Sequence, residues 1–240
     1  MLEGVVVKMM GPDFLLWRCL HSGPLTKETV DQPQPHPACP WEEFKRRNVP
    51  LLAKLTEVYG ACAVVAMDED RIVGQLRFYP AFLCSMAASG PGLCLQQRFP
   101  AGPADDLAAR TFPPLSRLED KTLFVHCLMT GSPQQERNPY QRKGLGAAMV
   151  RRLAEWAKAN GWQAIEANAF EDLDLIYAVT GSAGKMFWEK LGFRVVETRV
   201  EPALMRENDF VKALRRQAAA RGLSAKCVAN QYRMRLDLTG

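Results

Sequence analysis

Pro139-Tyr140-Gln141-Arg142-Lys143-Gly144-Leu145-Gly146 is the stretch on which the reading of this chain turns. Before it lies an apolar, β-prone run, Lys121 to Met129 (KTLFVHCLM), expected to be a buried strand. After it, Leu145, Met149, Leu153 and Trp156 recur at i, i+4, i+8 and i+11, with Arg151, Arg152, Glu155 and Lys158 turned away. That is an amphipathic helix, and Gly161 ends it. Gly144 and Gly146 remove side chains where the helix begins, so its first N–H groups stay open to a ligand. The helix start carries partial positive charge, and Arg142 and Lys143 add two full charges. Together these parts make an anion site suited to phosphate. The stretch is neither the GxxxxGK[ST] loop nor the GxGxxG fingerprint, and Gly181-Ser182-Ala183-Gly184-Lys185-Met186 does not supply the former either.

Outward from this centre, short apolar runs alternate with turn residues. Ala61 to Met67 and Arg71 to Phe82 flank Asp68-Glu69-Asp70, which predicts an antiparallel hairpin. Gln163 to Phe170, Phe193 to Val200 and Gln231 to Leu238 are further strands. Val5 to Met9 and Phe14 to Leu20 are strand candidates near the start. Helices are expected from Trp41, over Ala183 to Leu191 before Gly192, and over Asn208 to Arg221. Pro50 is expected to break or kink the first of these. Residues 86 to 119, with three Gly/Pro-rich clusters, read as a long excursion. Phe170 to Thr180 reads as a loop.

Composition bounds the rest. The chain has 240 residues, 48% apolar and 24% charged, and a net charge of +5. Disorder and coiled coil are excluded, and the charge is too mild to imply a nucleic-acid partner. No apolar run approaches a membrane span and no signal peptide is visible. Seven cysteines are scattered without a CxxC pair, so a reducing, cytoplasmic setting is expected. His36 and Cys39, close together in a Pro-rich stretch, supply too few ligands for a metal.

Gln141-Arg142-Lys143-Gly144-Leu145-Gly146 resembles the Gln/Arg-x-x-Gly-x-Gly/Ala signature of the GNAT N-acetyltransferase superfamily at every fixed position. The order of elements around it fits too, as does Ala183 to Phe193, which looks like the family's second characteristic helix with its terminal Gly-Phe. The resemblance implies an α/β (α+β) fold: a central mixed, mostly antiparallel sheet of six to seven strands, flanked by helices on both faces. It implies one domain over residues 1–240, with an irregular start (1–60), the excursion (86–119) and a C-terminal helix–strand extension (201–240). It implies acetyl-coenzyme A as cofactor, with Gln141, Arg142, Lys143, Gly144, Leu145, Gly146 and Ala147 on the pyrophosphate. Leu128 and Met129 would polarise the thioester, and Lys185 and Trp188 would contribute from the second helix. A small-molecule or protein amine would attack directly in a ternary complex. A homodimer is compatible with this reading.

Three departures bear on catalysis. Trp188 stands where the family commonly has a tyrosine acid, and an indole N–H is donor-only. The link Thr130 to Pro139 is longer than usual. The segment Phe170 to Thr180 brings Tyr177 towards the same helix, which makes Tyr177 the candidate acid. His126 is the candidate base; strict alternation puts it on one face with Phe124 and Leu128, with Cys127 opposite. Glu166 and Asn168, the cluster Glu171, Asp172 and Asp174, and His21 are candidates for orienting or attracting the amine. Two other readings stand beside transfer: a non-catalytic acyl-coenzyme A sensor, motivated by Trp188, and a nucleotide-using α/β enzyme.

Overall fold

The apolar runs on either side of Asp68-Glu69-Asp70 fold as the expected hairpin. The computed structural model describes residues 3–18, 20, 25–32, 41–83, 111–131, 138–180 and 183–239. The hairpin strands are β3 (Ala63–Asp68) and β4 (Arg71–Pro80), with Glu69 in the left-handed region at φ 54°. The chain divides into two compact units, Met1–Gln163 and Ala164–Gly240.

In the first unit, β1 (Val5–Met9), β3, β4 and β5 (Thr122–Thr130) lie in that order, each antiparallel to the next. The two-residue β2 (Leu25–Thr26) pairs with Ile72 and Arg71 at the start of β4, beyond the point where β5 ends. One face of β4 meets the helix α2 (Leu145–Ala159). A Cβ on Gly74 would lie 3.0 Å from Met149 Sδ, and the Phe78 ring is 5.4 Å from Trp156. The expected stripe is the buried one: Leu145, Met149 and Leu153 are buried, each stabilising by about 2 kcal/mol. The other face of β4 carries Gln75, Arg77 and Tyr79. Arg77 donates to the carbonyls of Leu16 and Arg18, and Gln75 Oε1 accepts from the Leu20 N–H. The carbonyls of Leu16 and Arg18 take up the Nη2 hydrogens of the buried Arg77 guanidinium, which offsets part of the cost of burying it. Phe14 to Arg18 is therefore not the expected strand; the carbonyls of Leu16, Trp17 and Arg18 accept from side chains.

The helix α1 (Trp41–Tyr59) closes over this segment, with Asn48 donating to the Trp17 carbonyl at 3.1 Å. It runs through Pro50 rather than breaking there. A mid-helix proline costs about 3 kcal/mol. Leu51, Leu52 and Leu55, all buried, each return about 2 kcal/mol, and Pro50 itself is exposed.

In the second unit, β8 (Asn230–Asp237) lies between β6 (Ala164–Ala169) and β7 (Arg194–Val200), antiparallel to both. The helices are α3 (Asp174–Thr180), α4 (Lys185–Glu189) and α5 (Asp209–Ala220). Asn208 caps α5 by accepting from the Val211 N–H at 2.9 Å. The segment read as a loop from Phe170 to Thr180 is thus helical over Asp174–Thr180. Its signal was one turn long: Leu173 and Ile176, three apart, enter a core with Phe170, Val211, Leu214 and Val228.

The fold class is the expected one, α/β with mostly antiparallel strands and flanking helices. Among the described residues the strands number eight, counting the two-residue β2, against the expected six to seven. Most of the 86–119 excursion lies outside the described residues; within its end, Leu115–Arg117 form a 3-10 turn. Among the described residues, no helix is long and apolar enough to cross a membrane.

Candidate functional site

The site begins where β5 ends. Gly131 follows β5 at φ +67° and donates its N–H to Val73 O at 2.7 Å. The Asn138 side chain lies so close that a Cβ on Gly131 would fall 2.1 Å from its amide atoms. Asn138 Nδ2 donates to the Thr130 carbonyl at 2.6 Å, and its Oδ1 accepts from the Tyr140 N–H at 3.0 Å. Tyr140 is buried and donates its hydroxyl to Asp68 Oδ2 at 2.6 Å. The bond to that carboxylate, then burial, pushes the phenol pKa up. Gly131, Asn138 and Tyr140 thereby tie both ends of the link to β5 and β3. Sequence reasoning missed this brace; the Asn138-Pro139 turn pair and Gly131 were its visible signals. The middle of the link, 132–137, lies outside the described residues.

From this brace the chain turns into α2. Arg142 (φ 57°) and Gly144 (φ 81°) are both left-handed. Such residues in a turn shape the concavities of backbone N–H groups that hold anions. Gly144 caps α2 without any side-chain hydrogen bond, and the first bond of the helix is Ala148 N–H to Gly144 O at 3.0 Å. Among the described residues, the N–H groups of Lys143, Gly144, Leu145, Gly146 and Ala147 have no acceptor. Gln141, Arg142, Lys143 and Gly144 are exposed, and a Cβ on Gly144 would meet nothing within 4 Å. A helix start with free amides, open space and two cations has the donor set a diphosphate requires.

The strand leading into the site departs from strict alternation. The register of β5 against β4 slips so that Phe78 pairs with Val125 but Arg77 pairs with Cys127, leaving His126 as an extra residue. This β-bulge resets the parity of every residue after it. Leu128 pairs with Leu76 and so lies on the α2 face with Val125, not with Phe124 and His126 as alternation predicts. Cys127, paired with Arg77, lies on the face where the His126 ring packs 5.7 Å from Tyr79. His126 and Cys127 therefore share a face, where alternation put them on opposite ones. His126 is half-buried; Leu128 and Met129 are buried.

The remaining candidates lie in the second unit. Trp188 is buried in α4, its ring 4.9 Å from Phe193 and 5.2 Å from Phe187, and its indole N–H has no acceptor among the described residues. It is a packing residue there. Lys185 stands over the Tyr232 ring at 5.0 Å and pairs with Glu189 at 3.8 Å. Tyr177 is half-buried on α3. The acidic cluster is committed to structure. Glu171 accepts from the Tyr232 hydroxyl, Asp172 Oδ2 accepts from the Met186 N–H at 2.9 Å, and Asp174 pairs with Arg221 at 2.6 Å. Glu166 is held by Arg233 at 3.1 Å and Arg235 at 2.9 Å. These carboxylates have partners already, which leaves little of their charge for an amine. His21 lies outside the described residues. No cluster of three or more His, Cys, Asp or Glu suited to a metal occurs among the described residues.

No protein-family model matches the chain, and no curated protein matches it. Among solved structures, it is similar to an acetyltransferase of the GNAT family from Streptococcus pneumoniae: 11% identity, 97% of this chain and 99% of that one covered, TM-score 0.49. It is similar to an agmatine N-acetyltransferase at 16% identity, over 98% of this chain and 100% of that one, TM-score 0.46. It is also similar to Ard1 from Thermoplasma volcanium at 10% identity, over 99% of each chain, TM-score 0.45.

Proposed function

We propose that this chain is a GNAT-like, acetyl-coenzyme A-dependent N-acetyltransferase that acts on a primary amine by direct attack in a ternary complex. The observation that carries the reading is the start of α2. The N–H groups of Lys143 to Ala147 lack acceptors among the described residues, beside the exposed Arg142 and Lys143. Those amides would hold the cofactor's pyrophosphate, and acetyl-coenzyme A would supply the activated acyl group. The brace of Gly131, Asn138 and Tyr140 fixes the loop against β5 and β3, so the amides are preorganised rather than ordered on binding. Leu128 and Met129, at the end of β5, are the main-chain donors proposed for the acyl carbonyl. His126, at the bulge, is proposed as the base that takes the amine proton, and Tyr177 as the acid.

Isothermal titration tests the cofactor half of this reading. Acetyl-coenzyme A binds the wild-type chain, and Gly146→Trp, which fills the helix start, weakens binding. No heat of binding at millimolar cofactor rejects the proposal. The acid–base half is tested by thiol release: His126→Gln and Tyr177→Phe each lower the turnover rate by about tenfold or more while acetyl-coenzyme A still binds.

A second reading, an acyl-coenzyme A sensor without transfer, is favoured by Trp188, whose indole is packed between Phe187 and Phe193 and has no proton to give at neutral pH. A panel of amines in the thiol-release assay separates the two. Turnover well above cofactor hydrolysis excludes the sensor.

A further inference from the structure

Strand β7 stands at the end of the strand order, with β8 on one side. All seven of its residues, Arg194–Val200, are exposed. Strands on a sheet normally bury one face, as β6 does with Ile165, Ala167 and Ala169. On β7 even the valines are open: Val196 is 40% and Val200 57% exposed. An outer strand whose far edge has no partner among the described residues, and which carries apolar side chains, is a template for another strand.

The sequence of β7 says which strand fits. Read antiparallel against itself about Thr198, Val196-Glu197-Thr198-Arg199-Val200 is self-complementary. Val196 falls opposite Val200, Glu197 opposite Arg199, and Thr198 opposite Thr198; each valine and charge pair occurs twice. Paired β-branched residues, opposite charges and facing threonines are the cross-strand combinations that stabilise a sheet. Neighbouring registers are worse. An axis through Glu197 sets the two glutamates against each other, and an axis between Val196 and Glu197 sets Arg194 against Arg199. The register of β7 on β8 slips at Val196, between Val195 and Glu197, and is regular from Glu197 to Val200, so the Glu197–Arg199 pairs and the Thr198 pair fall in the regular part of the strand.

We propose that β7 pairs with the β7 of a second copy of this chain, antiparallel about a two-fold axis through Thr198, to make a symmetric dimer. A symmetric two-fold contact uses one patch twice, which a self-complementary segment satisfies. Glu197 and Arg199, bonded to each other within one chain, exchange partners across the axis. Strand addition of this length gives a modest interface, so the dimer forms reversibly at micromolar concentrations or above. The proposal is independent of the acetyl-transfer reading.

Sedimentation equilibrium of the full chain from about 10 μM to about 1 mM tests it, a range that brackets weak association. The wild type shows a monomer–dimer equilibrium. Glu197→Arg and Arg199→Glu each turn both charge pairs repulsive and weaken the dimer by about tenfold or more. The double exchange, Glu197→Arg with Arg199→Glu, is again self-complementary and restores wild-type affinity. Mixing the two single variants gives a heterodimer. Far-UV circular dichroism of each variant establishes that the fold is kept. A wild-type monomer throughout the range overturns the proposal. So does a dimer indifferent to the single reversals, or a double exchange that stays dissociated.

Discussion

Gly131→Ala probes the joint on which the proposed anion loop depends. Gly131 sits at φ +67°, and a methyl there would lie 2.1 Å from the Asn138 amide. The left-handed conformation costs a residue with a Cβ about 1 kcal/mol. The overlap cannot be relieved by a small shift, so the Asn138 side chain must leave. With it go the bonds to the Thr130 carbonyl and from the Tyr140 N–H. Each contributes about 1 kcal/mol net. The sum is about 3 kcal/mol, which for a unit of this size lowers the melting temperature by about 6–12 °C. Urea denaturation monitored by tryptophan fluorescence measures it. A double-mutant cycle checks the cause. Asn138→Ala alone costs about 2 kcal/mol, and Gly131→Ala on that background adds only the backbone strain of about 1 kcal/mol. Acetyl-coenzyme A titrated into Gly131→Ala binds more weakly, because the same bonds hold Tyr140 and the turn into α2. If Gly131→Ala loses less than about 0.5 kcal/mol, or if the two substitutions add without coupling, the brace is not the support argued here.

Tyr59, whose hydroxyl donates to the Pro113 carbonyl at 2.8 Å, has its pKa pushed up by burial from 10.0 to about 12. The neutral phenol is the form the fold favours, so this stability is complete below pH 10 and is lost as pH rises towards 12. Urea midpoints across that window should fall, and Tyr59→Phe should flatten the fall while costing about 1 kcal/mol at neutral pH. In the second unit, Gly184→Ala brings a methyl within 2.1 Å of Asp172 Oδ1 and displaces the carboxylate that accepts from the Met186 N–H. A loss of about 1–2 kcal/mol in chemical denaturation is expected, with Asp172→Ala on the same background recovering part of it. Gly74→Ala sets a Cβ 2.9 Å from that of Ala66 and 3.0 Å from Met149 Sδ. Overpacking of about 1–3 kcal/mol follows, and Met149→Ala should relieve some of it.

Much of the fold is legible in the sequence, and the reasons are local. The hairpin β3–β4 announces itself by two apolar runs around Asp68-Glu69-Asp70. Helix α2 announces itself by four apolar residues at helical spacing, stopped at Gly161. Where reading failed, a distant partner had decided the matter. Pro50 stays inside α1 because buried leucines beyond it outweigh the lost hydrogen bond. Leu173 and Ile176 make α3 because a core from α5 receives them. The bulge at His126 has no local signature at all, since it arises from how β5 registers on β4.

The charges and the missing side chains at Arg142, Lys143, Gly144 and Gly146 are by themselves the ground for proposing that a helix start here receives an anion. Composition and backbone chemistry at adjacent positions suffice for that. Which face Leu128 and Cys127 take, that the acidic cluster is bound to Arg221, Tyr232 and the α4 backbone, and that Asn138 and Tyr140 hold the loop are matters only the tertiary structure decided. Each depends on groups far apart in the chain meeting at hydrogen-bonding distance, and one-dimensional spacing does not carry that information.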